Sequence, residues 1–250
     1  MILAIIPARG GSKRIPGKNI KSFCGKPIIA YSIECALESE LFDRVIVSTD
    51  SDEIAAVAAE YGAETPFRRP PELADDFTPT IPVIKHAIES IEAKSNSTET
   101  APVTSETLSE VSYACCIYPT APFLQATDLQ TAFQQLQSDD SADFCFPVTS
   151  FAFPIWRSVR VSEQNRVEMF WPENGNKRSQ DLEEAFHDAG QFYWGTNQAW
   201  KNATNIFNAT SQAIVIPRQR VQDIDTMEDW HRAEAMWRAT SGEKREARSE

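Results

Sequence analysis

The sequence predicts an α/β fold, a mostly parallel sheet covered by helices on both faces. Three observations lead there. Short continuous apolar runs at residues 2–6, 44–48 and 113–118 have the character of strands buried on both faces. Stretches of helical periodicity follow them, as at residues 28–37 and 80–93. Strand and helix then alternate along the chain, which parallel sheets with crossover helices require.

Taken in order, residues 2–6 form the first strand, and Pro27 suits the first turn of a helix over 28–37. Residues 44–48 form a strand ending at Thr49-Asp50, and Asp50 or Ser51 caps a helix running to Tyr61, stopped by Gly62. Residues 63–67 read as a third short strand. In the helix over 80–93, Ile81, Ile84, Ile88 and Ile91 share one side. The polar segment 94–112 reads as a surface insertion or flexible loop. A strand at 113–118, a helix at 128–136 and a strand at 144–148 resume the rhythm. Residues 149–190 break it and read as an inserted β-rich arm. Residues 144–194 hold 11 of the 25 aromatic residues, which suits core, a sugar platform or a dimer interface. Strands at 191–194 and 213–216, a helix from Thr226 to about Ala239 and a frayed tail over 241–250 complete one domain spanning 1–240.

Composition narrows the function. The chain has 250 residues and a net charge of −12, a field that repels nucleic acid. It contains no apolar run long enough for a membrane span, and Arg9, Lys13 and Arg14 follow the first strand too closely for a signal peptide. A cytoplasmic protein is expected. The five cysteines lack C-x-x-C spacing and read as reduced thiols, and three Asn-x-Ser/Thr triplets carry little weight in such a chain. The charge is unevenly placed: residues 1–33 hold six basic residues and no acid, leaving 18 basic and 36 acidic residues elsewhere. A compact positive site on an acidic protein suits a small anionic ligand.

That site is the loop after the first strand, Pro7-Ala8-Arg9-Gly10-Gly11-Ser12-Lys13-Arg14-Ile15-Pro16-Gly17-Lys18-Asn19. Ligands of open parallel sheets sit beyond the carboxyl ends of the strands. Gly10 and Gly11 let backbone N–H groups approach phosphate oxygens, and Arg9 and Lys18 supply charge beside them. Lys13 and Arg14 either assist or stay solvated. The spacing from Gly11 to Gly17-Lys18 is one residue too long for a Walker loop, and Asn19 stands where Ser or Thr is needed. A G-x-G-x-x-G dinucleotide motif is also absent. Farther on, Asp223 and Asp225 are two apart, so an extended backbone turns both carboxylates to one side, a pair suited to Mg²⁺ opposite a triphosphate.

The loop resembles the nucleotide loop of the cytidylyltransferases that activate nonulosonic acids, the acylneuraminate or CMP-sialic acid synthetase family. Phe42-Asp43-Arg44-Val45-Ile46-Val47-Ser48-Thr49-Asp50, Arg69-Pro70-Pro71-Glu72-Leu73-Ala74, Pro119-Thr120-Ala121-Pro122 and Asp223-Ile224-Asp225-Thr226 agree in order and spacing. The resemblance spans about residues 1–238. It implies a three-layer Rossmann-like nucleotide-diphospho-sugar transferase fold and CMP transfer from CTP to a nine-carbon acidic sugar with Mg²⁺. It places Ala8, Arg9, Gly10, Gly11, Ser12, Lys18, Asn19 and Arg69 on the nucleotide, and Thr78 and Thr80 on the cytosine edge. Arg9, Lys18 and Asp225 become the catalytic set, and Asp223 and Asp225 the metal pair.

For the sugar, the resemblance points to Tyr118, where relatives commonly carry Gln, and to Arg178 for the carboxylate, with Gln191 and Phe192 nearby. His187 is left outside the catalytic set, because a helix-end or core role suits it at least as well. Phe170-Trp171-Pro172-Glu173, Arg178-Ser179-Gln180-Asp181-Leu182 and His187-Asp188-Ala189-Gly190-Gln191-Phe192-Tyr193 look most like the branch acting on pseudaminic acid. The arm implies a homodimer, since in this family it reaches toward the neighbouring subunit. Sialic, legionaminic or keto-deoxyoctonic acid as the sugar, and a non-catalytic nucleotide-binding protein, are the alternatives.

Overall fold

The computed structural model describes residues 1–96 and 110–246. Strand β1 (Ile2–Pro7) starts the chain, and a tight hairpin of β2 (Ser22–Phe23) and β3 (Lys26–Pro27) precedes helix α1 (Ile28–Glu38). The hairpin turns at Cys24 and Gly25, with φ of 45° and 111°, the left-handed pair that matches strand twist. Then come β4 (Arg44–Ser48), α2 (Asp52–Glu60), α3 (Thr80–Asn96), β5 (Tyr113–Ile117), α4 (Ala126–Gln137) and β6 (Phe144–Ser150). The arm holds β7 (Val159–Val161) and β8 (Val167–Met169) and returns through β9 (Phe186–Asp188) into β10 (Phe192–Thr196). Helix α5 (Asn197–Asn202), β11 (Ser211–Val215) and α6 (Met227–Glu246) finish the chain.

The central sheet has the order β11-β6-β10-β5-β1-β4, with β9 also paired to β6. Its layers follow from the alternation of side chains along each strand. Ala4 and Ile6 of β1 face α1, α2 and α4, beside Val45, Val47, Cys115 and Ile117. Leu3 and Ile5 face the other way, with Ile46, Ala114 and Cys116, onto Ile84, Ile88 and Ile91 of α3 and Trp200 of α5. Both faces are therefore dry. Each fully buried isoleucine contributes about 1.5–3 kcal/mol, which explains why strands read as unbroken apolar runs. The three-layer, mostly parallel fold expected from the sequence is the one observed.

A third, smaller cluster lies at the cleft end. Ile15 of the basic loop and Ile224 are buried with Phe23, Ile28, Tyr31, Phe123 and Trp230. Helix α6 begins there with a capping box. The Thr226 hydroxyl lies 2.7 Å from Asp229 Oδ2, which also accepts the Thr226 amide at 2.9 Å.

Several elements differ from the sequence reading. Residues 63–67 form no strand. Glu64 makes a single parallel bridge to Ile46, and Pro66, which has no N–H, ends it. Strand β10 runs antiparallel to both β5 and β6, and β9 runs antiparallel to β6, while the remaining pairs of the sheet are parallel. Helix α5, too short and polar to show periodicity, was not expected; Thr196 caps it by accepting the Ala199 amide at 3.0 Å. Helix α6 continues past Ala239 to Glu246. Residues 97–109 of the polar insertion and 247–250 of the tail lie outside the described residues. All five cysteines are free thiols, four of them buried.

Gly195 of β10 marks the tightest approach of sheet to helix. A Cβ there would meet Trp200 Nε1 at 2.6 Å and the Phe144 ring at 2.7 Å. Gly195→Ala is expected to lower stability by about 1–3 kcal/mol, read as a reduced urea midpoint at unchanged slope. An unchanged midpoint would show that Trp200 and Phe144 yield freely.

Candidate active site

The carboxyl ends of β1, β4 and β5 open onto a cleft of about 270 Å³. The basic loop forms one wall, Arg69 and Tyr118 border the sheet, and the segment from Leu73 to Thr80 forms the facing wall. Of the residues singled out from the sequence, Arg9, Ser12, Lys18, Asn19, Arg69, Thr78, Thr80 and Tyr118 line it together.

Short contacts fix the loop. Ala8 is buried and its amide donates to Ser48 O at 2.9 Å, extending the β1–β4 pairing. Gly10 passes so close to α2 that a Cβ would lie 3.1 Å from Ser51 Cβ. The Gly10 amide donates to Asp50 Oδ1 at 2.8 Å, so in this state it is committed to a carboxylate. Asn19 is buried and its amide donates to Arg9 O at 3.0 Å, holding the two ends of the loop together. Gly17 has φ 63°, the left-handed turn that starts the short 3₁₀ segment carrying Lys18. Ile15 anchors the middle of the loop in the apolar cluster.

The cations are held by acids from outside the loop. Arg9 contacts Asp76 at 2.6 Å, and Lys13 reaches the other oxygen of the same carboxylate. Those hydrogen bonds, Lys13 first, hold the Asp76 carboxyl below the usual range. Arg14 pairs with Asp225 at 2.7 Å, and Lys18 lies 3.7 Å from Asp225 while donating to Ile224 O at 2.7 Å. Asp76 was not singled out from the sequence; an acidic pair between Arg69 and Thr78 was the available signal. Asp75 forms the turn itself, accepting the amides of Phe77 and Thr78 and the Thr78 hydroxyl, the last two at 2.7 Å.

Arg69 is 4% exposed. Its Nε donates to Ser48 Oγ at 3.1 Å and its Nη2 to Ser48 O. Burial lowers its pKa to about 10, with Asp50 opposing, so it stays charged at neutral pH. Its hydrogen-bond partners are thus neutral groups, and a buried cation so placed at a cleft favours an anionic ligand.

The acidic pair lies beside the loop. Ile224 is buried between them, and Asp223 and Asp225 are both exposed. Partial desolvation and then the charge of Asp225 raise the pKa of Asp223, while Lys18 opposes. Two like charges of this kind suit a hard divalent cation. Among the described residues no group of three or more His, Cys, Asp or Glu side chains could hold a metal unaided. A cation here would draw its other ligands from water and phosphate.

The sugar-side residues are less collected. Tyr118 lines the cleft, and burial pushes its phenol up to about 12. Gln191 is buried, donating to Arg220 O at 2.6 Å, with its Oε1 unpaired. Phe192 has no exposed surface and packs in the core facing α1 and α4. Arg178 lies in the arm, largely exposed, outside the cleft lining and bidentate to Asp181. His187, also in the arm, donates to or accepts from nothing in the cleft; its Nδ1 contacts Asp188 O at 2.8 Å. Tyr193 and Asp188, not singled out from the sequence, stand behind Tyr118: the Tyr193 hydroxyl donates to Asp188.

A three-layer α/β sheet with a basic loop and an acidic pair at its carboxyl edge places the chain among the α/β nucleotidyltransferases. Residues 3–193 match the family model described as cytidylyltransferase, and the chain belongs to that family. It is similar to the pseudaminic acid cytidylyltransferase of Campylobacter jejuni subsp. jejuni serotype O:23/36 (strain 81-176), 43% identical over 94% of this chain and 96% of that one. The N-acylneuraminate cytidylyltransferase of Escherichia coli O18:K1:H7 (strain RS218 / NMEC) is 29% identical over 93% of this chain and 51% of its own length. A solved structure of CMP:2-keto-3-deoxy-manno-octonic acid synthetase complexed with CTP superposes with a TM-score of 0.66 at 16% identity, over 96% of this chain and 99% of that one. The last likeness concerns the fold. No helix among the described residues is long and apolar enough to cross a membrane.

The pairing of Arg9 and Lys13 with Asp76 opposes anion binding. Asp76→Asn is expected to tighten inorganic pyrophosphate binding about two- to fivefold at low salt, measured by titration calorimetry. Weaker binding would mean that Asp76 helps to capture the ligand.

Proposed function

We propose that the chain transfers CMP from CTP to the anomeric hydroxyl of pseudaminic acid, releasing pyrophosphate. The observation that carries this reading is the 43% identity with a pseudaminic acid cytidylyltransferase along nearly the whole of both chains. The cleft supports it: its cations and polar groups suit a triphosphate, and its residues offer positioning and charge stabilisation in place of a nucleophile. Cys116, the thiol nearest the cleft in sequence, is fully buried with its pKa pushed up by burial.

The triphosphate takes the place of Asp76 on Arg9 and Lys13, with Lys18, Ser12 and the amide of Gly11 completing the cradle. Arg69 fixes the nucleotide from the buried side, and Thr78 and Thr80 face the base. Tyr118 begins the sugar subsite. The sugar hydroxyl attacks the α-phosphate in line, a step whose barrier falls mainly through orientation and charge neutralisation. Arg9 and Lys18 hold the phosphate oxygens as charge shifts toward the leaving pyrophosphate. Asp223 and Asp225 would hold Mg²⁺, which supplies phosphate charge neutralisation and a lowered pKa for the attacking hydroxyl.

The arm carries exposed Phe153, Val161, Val167 and Phe170. In a homodimer whose arm reaches the neighbouring cleft, those side chains are covered and Arg178 meets the sugar carboxylate, a bidentate pairing it now makes with Asp181. The protein acts in the cytoplasm, where CTP is available.

Pyrophosphate release is measured with CTP and pseudaminic, sialic, legionaminic or keto-deoxyoctonic acid. Pseudaminic acid is expected to give the highest kcat/KM, and a higher value for another sugar would move the assignment to it. Asp225→Ala is expected to lower turnover about a hundredfold or more with an unchanged melting curve. Near-normal release by that variant in saturating Mg²⁺ would remove the metal assignment. Light scattering is expected to give twice the chain mass, and a fully active monomer would refute the role of the arm.

A further inference from the structure

The acidic pair sits on the stretch of chain that joins β11 to α6, and two buried contacts hold that stretch where it begins. It opens with a single 3₁₀ turn, Arg218–Arg220. The Arg220 guanidinium is bidentate to Asp128 in the first turn of α4, with Nη1 on Oδ2 and Nη2 3.1 Å from Oδ1. The two side chains are 17% and 11% exposed, so solvent competes little for the pair. The Arg220 carbonyl is held as well, accepting the Gln191 side-chain amide at 2.6 Å. Gln191 is anchored in turn, since its own carbonyl accepts the Tyr118 amide at 2.8 Å. Gln191 is buried and lies outside the cleft lining. Beyond Arg220, Val221 packs on the larger core and Ile224 on the smaller one. Asp223 lies between these anchors, within about 11 Å of chain from Arg220. Arg14 pairs with Asp225, but among the described residues no ion pair reaches Asp223. The place of Asp223 is therefore set by the backbone on either side of it.

We infer that Gln191 and Arg220 are positioning residues that place Asp223 for a divalent cation, and that Gln191 acts there instead of on the sugar. The inference rests on the metal assignment proposed above. Mg²⁺ demands near-ideal octahedral geometry and tolerates little displacement of a ligand. Asp225 has its own hold on the far side of Ile224, through Arg14 and through its amide, which donates to Asp229 at the start of α6. The two carboxylates are thus held by separate means. Loss of the Gln191–Arg220 contact loosens one of them and leaves the other.

Gln191→Met keeps the length of the side chain. It removes one hydrogen bond together with the buried Oε1 that has no partner, so the fold is spared most of the loss. Arg220→Lys keeps the charge beside Asp128 and gives up the two-point contact. CTP affinity is measured by calorimetry in Mg²⁺ and in EDTA, and the ratio gives the affinity that the metal adds. The KM for the sugar is measured at saturating Mg²⁺, and hydrogen exchange is followed over residues 221–225. Both variants are expected to lose about three- to tenfold of the affinity added by Mg²⁺, and to exchange about threefold faster or more at 221–225. CTP affinity in EDTA and the sugar KM are expected to stay within about twofold. An unchanged Mg²⁺ contribution in Gln191→Met, or a raised sugar KM without that loss, would overturn the inference. So would a lower melting temperature as the only change. If Arg220→Lys fails to fold, Gln191→Met decides alone. Wild-type CTP affinity unmoved by Mg²⁺ would reject the metal assignment instead. The exchange rates would then decide whether Gln191 holds the segment, and unchanged rates would refute it.

Discussion

The site depends on an apolar contact. Ile15 from the basic loop and Ile224 from the acidic segment are buried in one cluster beneath Trp230. These two segments are about two hundred residues apart in the chain, and neither has regular structure of its own. That anchor adds an apolar hold to the polar contacts that keep four clustered cations, Arg9, Lys13, Arg14 and Lys18, together against their own repulsion. The cluster is small, yet it decides that a positive loop and a negative pair face one another across a few ångströms.

Charge pairing in the cleft follows from that placement. Each cation of the loop finds an acid on another segment, Asp76 on one side and Asp225 on the other. These pairs are open to solvent to differing degrees and contribute little to stability. What they do is tie the cations of the loop to fixed acids on either side. Arg69 is the opposite case. It is buried, with its place fixed by Ser48 and by no acid.

How much of this was legible in the sequence varied with distance along the chain. The strands at 2–6 and 44–48 were legible because burial on both faces leaves a continuous apolar run. The loop was legible because its chemistry is local: glycines, an asparagine and basic residues within a dozen positions. Asp76, Asp188 and Tyr193 were not, because each acquires its role only through a partner brought near by the fold. Phe192 shows how narrow the margin is. It was expected at the sugar, but alternation along β10 sends Phe192 and Trp194 into one core layer and Tyr193 toward Tyr118 on the other face. A shift of one residue along the strand moves a side chain from one layer to the other. Arg178 could be placed in the arm by its motif, but a motif carries no information on which cleft the arm meets.

The reversed direction of β10 has a consequence for how this fold can vary. Because β10 descends from the same edge of the sheet toward which β6 rises, the intervening arm enters and leaves at a single rim. Its stem is the pairing of Val148–Ser150 with Phe186–Asp188, and beyond that stem its length is unconstrained by the sheet register. Lineages are free to lengthen, shorten or recolour the arm while the helices and strands beneath keep their packing. Arm and sheet can thus change at separate tempos within one chain.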